Sequence, residues 1–232
     1  AVKRAVEMAD EGADIIDVGG ESTRPGSTPV PLEEELERVI PIVEAIRKEV
    51  DIPISVDTYK AEVARQALEA GAHMINDIWG FKKEPEMAGV AAQYDVPVVL
   101  MHNRTDMDYR DFLNDVIADL QASIRIAHEA GIPDHRIILD PGIGFAKQLE
   151  HNLVLMKNLH RITELGYPVL LGTSRKRFIR HTLNLPVEDV VEGTAATVVL
   201  GIAQGCGIVR VHDVKAIKRA AVMTDAIMRS RL

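Results

Sequence analysis

Short aliphatic runs recur along this chain, each followed by a polar residue, a loop and an amphipathic stretch. Ile15-Ile-Asp-Val18, Ile54-Ser-Val56, Met74-Ile75, Pro97-Val-Val-Leu-Met101, Ile137-Ile-Leu139, Val169-Leu-Leu171 and Ile208-Val-Arg-Val-His212 read as strands. Between them, apolar positions at helical spacing predict helices over Ala1–Glu11, Leu32–Glu49, Lys60–Ala70, Glu86–Tyr94, Phe112–Ala130, Leu149–Leu165, Val187–Gln204 and Val214–Met228. Gly12, Gly71, Gly131 and Gly166 stand where helix stops are needed. The strand exits fall at Asp57, Asn76, Met101, Asp140, Gly172 and Arg210. Each interval holds one loop, one helix and the next strand, as parallel crossovers require.

Polar groups delivered to the same ends of successive parallel strands are how an α/β TIM (β/α)8 barrel builds a pocket. The pattern centres on Ile137-Ile-Leu-Asp140-Pro-Gly-Ile-Gly-Phe145, a buried strand with a carboxylate at its exit and an irregular turn beyond. No linker or low-complexity segment divides the chain, so one domain over residues 1–232 is expected. The pattern supplies seven strands and opens in a helix, whereas such a barrel opens in a strand and closes with eight. The expectation is therefore that the first β-strand is missing from this chain, with an open doubly wound sheet as the alternative.

The bulk numbers narrow the partners. A net charge of −8 gives no reason to expect nucleic acid. The single cysteine, Cys206, forms no intrachain disulfide, suits a reducing compartment such as the cytoplasm, and reads as a small buried residue. No apolar stretch reaches the length of a membrane span, so no membrane partner is expected.

Asp57, Asn76 and Asp140 are short polar residues at strand exits. Taken singly, each could merely cap a helix or satisfy a turn. Taken together, they suit a planar heterocycle rich in N–H donors, which carboxylates hold by parallel hydrogen bonds. Arg24, Lys176, Arg177, Arg210 and His212 form a cationic set at or after strand ends. Solvated surface charge accounts well for Arg177. Arg210 and His212 alternate with Val209 and Val211 and so share one side of their strand, which suits a phosphate or pyrophosphate clamp. A hydrogen-bonded core histidine is the other reading of His212. No nucleophile elbow, dinucleotide fingerprint or zinc spacing is present, and Glu33-Glu-Glu35 reads as a favourable first helical turn and nothing more.

Six motifs in order, Gly20-Glu-Ser-Thr-Arg-Pro-Gly26, Val56-Asp-Thr58, Ile75-Asn-Asp-Ile78, Leu139-Asp-Pro-Gly-Ile-Gly-Phe145, Gly172-Thr-Ser-Arg-Lys176 and Arg210-Val-His-Asp213, resemble those of the dihydropteroate synthase family. The resemblance implies an eight-stranded barrel, a cytoplasmic homodimer, and the condensation of dihydropterin pyrophosphate with 4-aminobenzoate, inhibited by sulfonamides. It implies pterin contacts at Asp57, Asn76, Ile78, Met101, Asp140, Phe145, Gly172, Lys176 and Arg210. It implies pyrophosphate contacts at Thr23, Arg24, Arg210 and His212, and an aminobenzoate site at Thr23, Arg24, Pro25, Lys176 and Arg177. It also implies Mg2+ as cofactor, although the family's Asn ligand sits in an N-terminal loop that nothing here matches. Arg177 departs from the Ser that many members carry. The alternatives are a pterin-dependent methyltransferase and an inactive pterin-binding barrel.

Overall fold

Strands and helices alternate along the computed structural model, with two helices on either side of β6; it describes residues 1–22 and 28–230. Among the described residues the strands are β1 (Ile16–Gly19), β2 (Ile54–Asp57), β3 (Met74–Asp77), β4 (Val98–Met101), β5 (Ile137–Asp140), β6 (Leu170–Leu171) and β7 (Ile208–Val209). The first five form a sheet in chain order, β1-β2-β3-β4-β5; β6 and β7 pair with each other, and Leu139 bridges to Val169. All pairings with a defined register are parallel. Chain order without reversal is the topology of a (β/α) barrel; a doubly wound sheet would reverse at a switch point.

By packing, the chain divides into two units, Ala1–Met101 with Leu120–Ile138, and His102–Asp119 with Leu139–Leu232. In the first unit, β2, β3 and β4 are buried at every position, as expected for parallel strands covered on both faces. The helices of this unit are α1 (Val2–Asp10) and α2 (Leu32–Glu49), which pack on β1, with α3 (Ala61–Glu69) and α4 (Glu86–Tyr94). Val39, Val43 and Ile46 of α2 recur three or four positions apart, Val63 and Ala64 of α3 stand four and three before Ala67, and all are fully buried. Helix α5 (Phe112–Glu129) follows β4, and a short 3-10 turn (Asp134–Arg136) leads into β5.

Asp77 closes β3. Its buried carboxylate accepts the N–H groups of Trp79 (2.8 Å) and Phe81 (2.7 Å), and burial pushes its pKa up to about 6. This is a turn-forming role, the plain reading of an acidic residue at a strand exit.

In the second unit, helices α6 (Leu149–Lys157), α7 (His160–Thr163), α8 (Arg177–Leu183), α9 (Val191–Ala203) and α10 (Val214–Met228) accompany β6 and β7, with α9 packed on α6, α8 and α10. The single helix expected over Leu149–Leu165 is broken at Asn158, whose side-chain amide donates to the Val154 carbonyl at 2.8 Å and takes over a backbone partner. The helix expected from Val187 starts at Val191, and α8, which the pattern did not predict, ends at Asn184 in the left-handed conformation (φ 54°). The strand expected to reach His212 stops at Val209, so its alternation does not orient His212. Cys206 is buried, as expected, and its thiol is pushed up to about 12 by burial first and by Asp140 second. No described helix is long and apolar enough to cross a membrane.

Helix α9 lies so close to β6 that a Cβ on Gly201 would stand 2.3 Å from Leu171 Cδ2. Gly201→Ala gains helix propensity of about 1 kcal/mol, but crowding a fully buried leucine costs about 1–3 kcal/mol. A net loss of stability is expected in urea denaturation; a stabilised variant would contradict the close seating of α9.

Candidate active site

Parallel register puts the predicted pterin contacts of the first unit side by side. Asp57 on β2 is the direct partner of Asn76 on β3, and Asn76 is the partner of Val99 on β4. Register partners share a face, and so do alternate residues, so Asp57, Asn76 and Met101 line one side of the sheet. Asp57, Asn76, Ile78 and Met101 are all buried. Asp17, on the same face of β1, accepts a hydrogen bond from the Asn76 amide at 3.3 Å. Sequence reading passed over Asp17; its signal is a carboxylate inside an aliphatic strand.

Behind Asp57 lies a second acidic cluster. Thr58 donates to Glu35 at 2.8 Å, and the Lys60 ammonium is shared between Glu35 and Glu21. Glu21 also accepts from the Tyr59 hydroxyl at 3.1 Å and from the Val30 N–H at 3.1 Å. Burial alone would raise the Glu21 pKa, but the Lys60 and Val30 hydrogen bonds more than reverse this and leave it lowered. Glu35, only 1% exposed, therefore does more than favour a helix end, which corrects the reading of Glu33-Glu-Glu35. Val30 follows the segment that holds Thr23, Arg24 and Pro25, and those three lie outside the described residues.

The second unit gathers the other set around Asp140, buried at the exit of β5. Its Oδ1 accepts the Gly142 N–H at 2.7 Å. Burial raises its pKa, against the opposing pull of Lys176, the Gly142 N–H, Arg210 and Lys147. Lys176, at the start of α8, donates to the Ile143 carbonyl and stands 5.0 Å from the centre of the Phe145 ring. Gly172 is buried just past β6. Arg210 follows β7, its N–H continuing the ladder to the Leu171 carbonyl at 3.0 Å. His212 is exposed, and both its backbone N–H and its Nδ1 meet Ser174 Oγ, at 3.1 and 3.0 Å. That Ser174 contact takes the place of the strand geometry expected for it. Arg177 is exposed on α8 with Nε 3.4 Å from His181, in keeping with surface charge. Its neighbour Arg175, not singled out in the sequence, forms a two-point pair with Asp213 (2.6 and 3.1 Å).

Two chemistries are thus assembled. One face presents carboxylate and amide acceptors, suited to N–H donors in a ring plane. The Asp140 surroundings join a buried carboxylate to lysine and arginine cations, suited to a ligand with a donor-rich ring and an anionic group. Among the described residues, no three His, Cys, Asp or Glu side chains gather to hold a metal ion.

Comparison with known proteins decides the family. The profile described as pterin binding enzyme matches residues 1–212. The chain belongs to the pterin-binding enzymes. It is 61% identical to the dihydropteroate synthase of Clostridium beijerinckii over 230 residues, covering 99% of this chain and 86% of that one. It is 59% identical to that of Bacillus subtilis over 228 residues, covering 98% and 80%. The structure of the Clostridium difficile enzyme in the presence of pteroic acid superposes with a TM-score of 0.97 at 48% identity, covering 99% and 88%. A Xanthomonas albilineans dihydropteroate synthase with 4-aminobenzoic acid follows at 0.96 and 43% (99% and 85%). A Yersinia pestis dihydropteroate synthase with a sulfonamide drug gives 0.95 and 39% (99% and 86%). Fold and activity are those of dihydropteroate synthase, a transferase, and the methyltransferase alternative falls away.

A buried carboxylate with a raised pKa binds its proton more readily in the folded than in the unfolded chain. Its ionisation therefore lowers stability as pH rises from the ordinary value of 3.8 through the folded value. A carboxyl-selective NMR titration is expected to find Asp140 above the usual range, and Lys176→Met is expected to raise it further. An unmoved Asp140 in that variant would contradict the pairing.

Proposed function

We propose that this enzyme binds its pterin through Asp57, Asn76 and Asp140, with Ile78, Met101, Phe145 and Gly172 as walls and Arg210 against the ring face. Lys176 reaches between the pterin and the aminobenzoate. Thr23, Arg24, Arg210 and His212 take the pyrophosphate, and Thr23, Arg24, Pro25, Lys176 and Arg177 form the aminobenzoate site. The observation that carries this reading is Asp140, a buried carboxylate at a strand exit facing Lys176 and Arg210, in a chain of this family. The substrates follow from the same family, as does competition between sulfonamides and 4-aminobenzoate.

The reaction proceeds as a dissociative substitution. The C–O bond to pyrophosphate breaks first, and the electron-rich pterin stabilises cationic character at its exocyclic carbon, favoured by nearby carboxylates. Arg210 and His212 stabilise the departing charge, and 4-aminobenzoate then attacks as a neutral arylamine, so no general base is required. Its ammonium product loses a proton to solvent. Mg2+ is the cofactor of this reading. Such ions are held mostly by substrate phosphates and water with one or two protein oxygens, and no step above runs through it.

We also read residues 1–232 as one pterin-binding domain acting in the cytoplasm as a homodimer. The single buried cysteine supports the first location. Exposed Val199 and Leu200 on α9 and Val222, Met223, Ile227 and Met228 on α10 support an apolar contact between copies.

Asp140→Asn is expected to cost about 2–4 kcal/mol in pterin binding, since one acceptor becomes a donor; calorimetric affinity within about threefold of the parent would contradict its placement. Arg210→Ala is expected to weaken pyrophosphate-bearing pterins far more than bare ones, and equal losses would remove it from the clamp. Formation of dihydropteroate with magnesium present tests the whole reading.

A further inference from the structure

Lys147 is a lysine with only 8% of its surface exposed, and no step of the chemistry above uses it. It belongs to the turn that begins at Asp140. Its ammonium donates to the Gly142 carbonyl at 3.0 Å, the Phe145 carbonyl at 3.0 Å and His102 Nδ1 at 2.7 Å. A buried lysine is retained only where several acceptors replace its water, and three converge on it here.

Two of the acceptors, the Gly142 and Phe145 carbonyls, belong to the irregular turn Gly142-Ile-Gly-Phe145, whose carbonyls have no regular ladder. Its other polar groups are also held by side chains. Lys176 takes the Ile143 carbonyl, Asn152 Oδ1 takes the Gly144 N–H at 2.6 Å, and the Tyr109 hydroxyl donates to the Ala146 carbonyl at 2.9 Å. Gly142 has φ +66°, and a Cβ there would lie 1.9 Å from the His102 carbonyl oxygen. This turn is therefore pressed against the backbone at His102, whose N–H in turn donates to the Asp140 carbonyl at 2.9 Å.

The contacts of His102 set its tautomer. Because Nδ1 accepts from Lys147, Nε2 carries the proton and donates to Asp119 Oδ2 at 3.0 Å. Asp119 also accepts from Arg104 Nε at 2.6 Å, and the Arg104 guanidinium lies 4.6 Å over the Tyr109 ring. A chain of side chains thus runs from Arg104 through Asp119 and His102 to Lys147, and ends on the turn that supplies Asp140 with its Gly142 N–H.

We infer that Lys147 is a positioning residue: anchored by His102, which Asp119 holds in turn, its buried ammonium fixes the Gly142–Phe145 turn and so orients the Asp140 carboxylate, bound to the Gly142 N–H, for the pterin. This rests on the reading of Asp140 as a pterin contact. Within the second unit, the charged and titratable groups facing Asp140 are Lys176, Arg210, Lys147 and Cys206.

The test measures affinity for a bare pterin by calorimetry between pH 5 and 8 in the parent, Lys147→Met, Lys147→Arg and Asp140→Asn. Lys147→Met is expected to lose about tenfold at neutral pH, and its acidic fall-off is expected to move to higher pH because one cation facing Asp140 is gone. Lys147→Arg keeps the charge and is expected to keep the parent's fall-off. Affinity of Lys147→Met within about threefold of the parent, or an equal loss at every pH with an unmoved fall-off, would overturn the inference. Should Lys147→Met fail to fold, a fall-off displaced upward in Lys147→Arg would overturn it. An Asp140→Asn variant that binds like the parent sinks the pterin reading of Asp140 itself. One that binds weakly beside an unaffected Lys147→Met sinks only the role of Lys147.

Discussion

A carboxylate buried at the end of a strand must be supplied with donors or it will protonate, and much of the second unit answers that constraint at Asp140. Burial drives its pKa upward; Lys176, the Gly142 N–H, Arg210 and Lys147 pull it back. A buried ionic group of this kind contributes little to stability. In the proposed site its value is selectivity, because a ligand lacking complementary donors leaves unpaired charge.

The same problem is solved differently in the first unit. Asp77 spends its carboxylate on the N–H groups of Trp79 and Phe81 and closes a turn. Its immediate neighbour Asn76 points to the opposite side of β3, where it meets Asp17 and stands beside Asp57. Adjacent polar residues at one strand exit thus serve opposite faces, because successive side chains project to opposite sides. Glu35 and Lys60 form a third arrangement, a buried acid and a half-buried base that hold Thr58 and Glu21 close behind Asp57. Glu21 reaches Val30 as well, so one carboxylate meets both Lys60 and the Val30 N–H.

The proposed dissociative reaction must keep water from a cationic carbon while admitting an arylamine. Rigid strand ends suit the first need, since groups fixed there require little reorganisation when charge develops. The irregular turn after β5 is rigid for another reason. Side chains from several segments hold its carbonyls, and Gly142 admits the backbone approach that they require.

Strand and helix positions were legible in the sequence wherever local pattern decides them, as at Leu32–Glu49, Glu86–Tyr94 and Val214–Met228, where the observed helices match to the residue. Polar exits at Asp57, Asn76 and Asp140 were legible for the same reason, as interruptions of aliphatic runs. The break at Asn158, the short reach of β7 and helix α8 were not, because each depends on which partner a backbone group finds. Nor were the burial of Glu35 and Lys147, since a charged residue in a polar stretch looks solvated until its distant acceptors are known. Periodicity and chain order settle which residues can share a face. Only folding brings together groups as distant in the chain as His102 and Lys147, and only that convergence makes a buried charge tolerable.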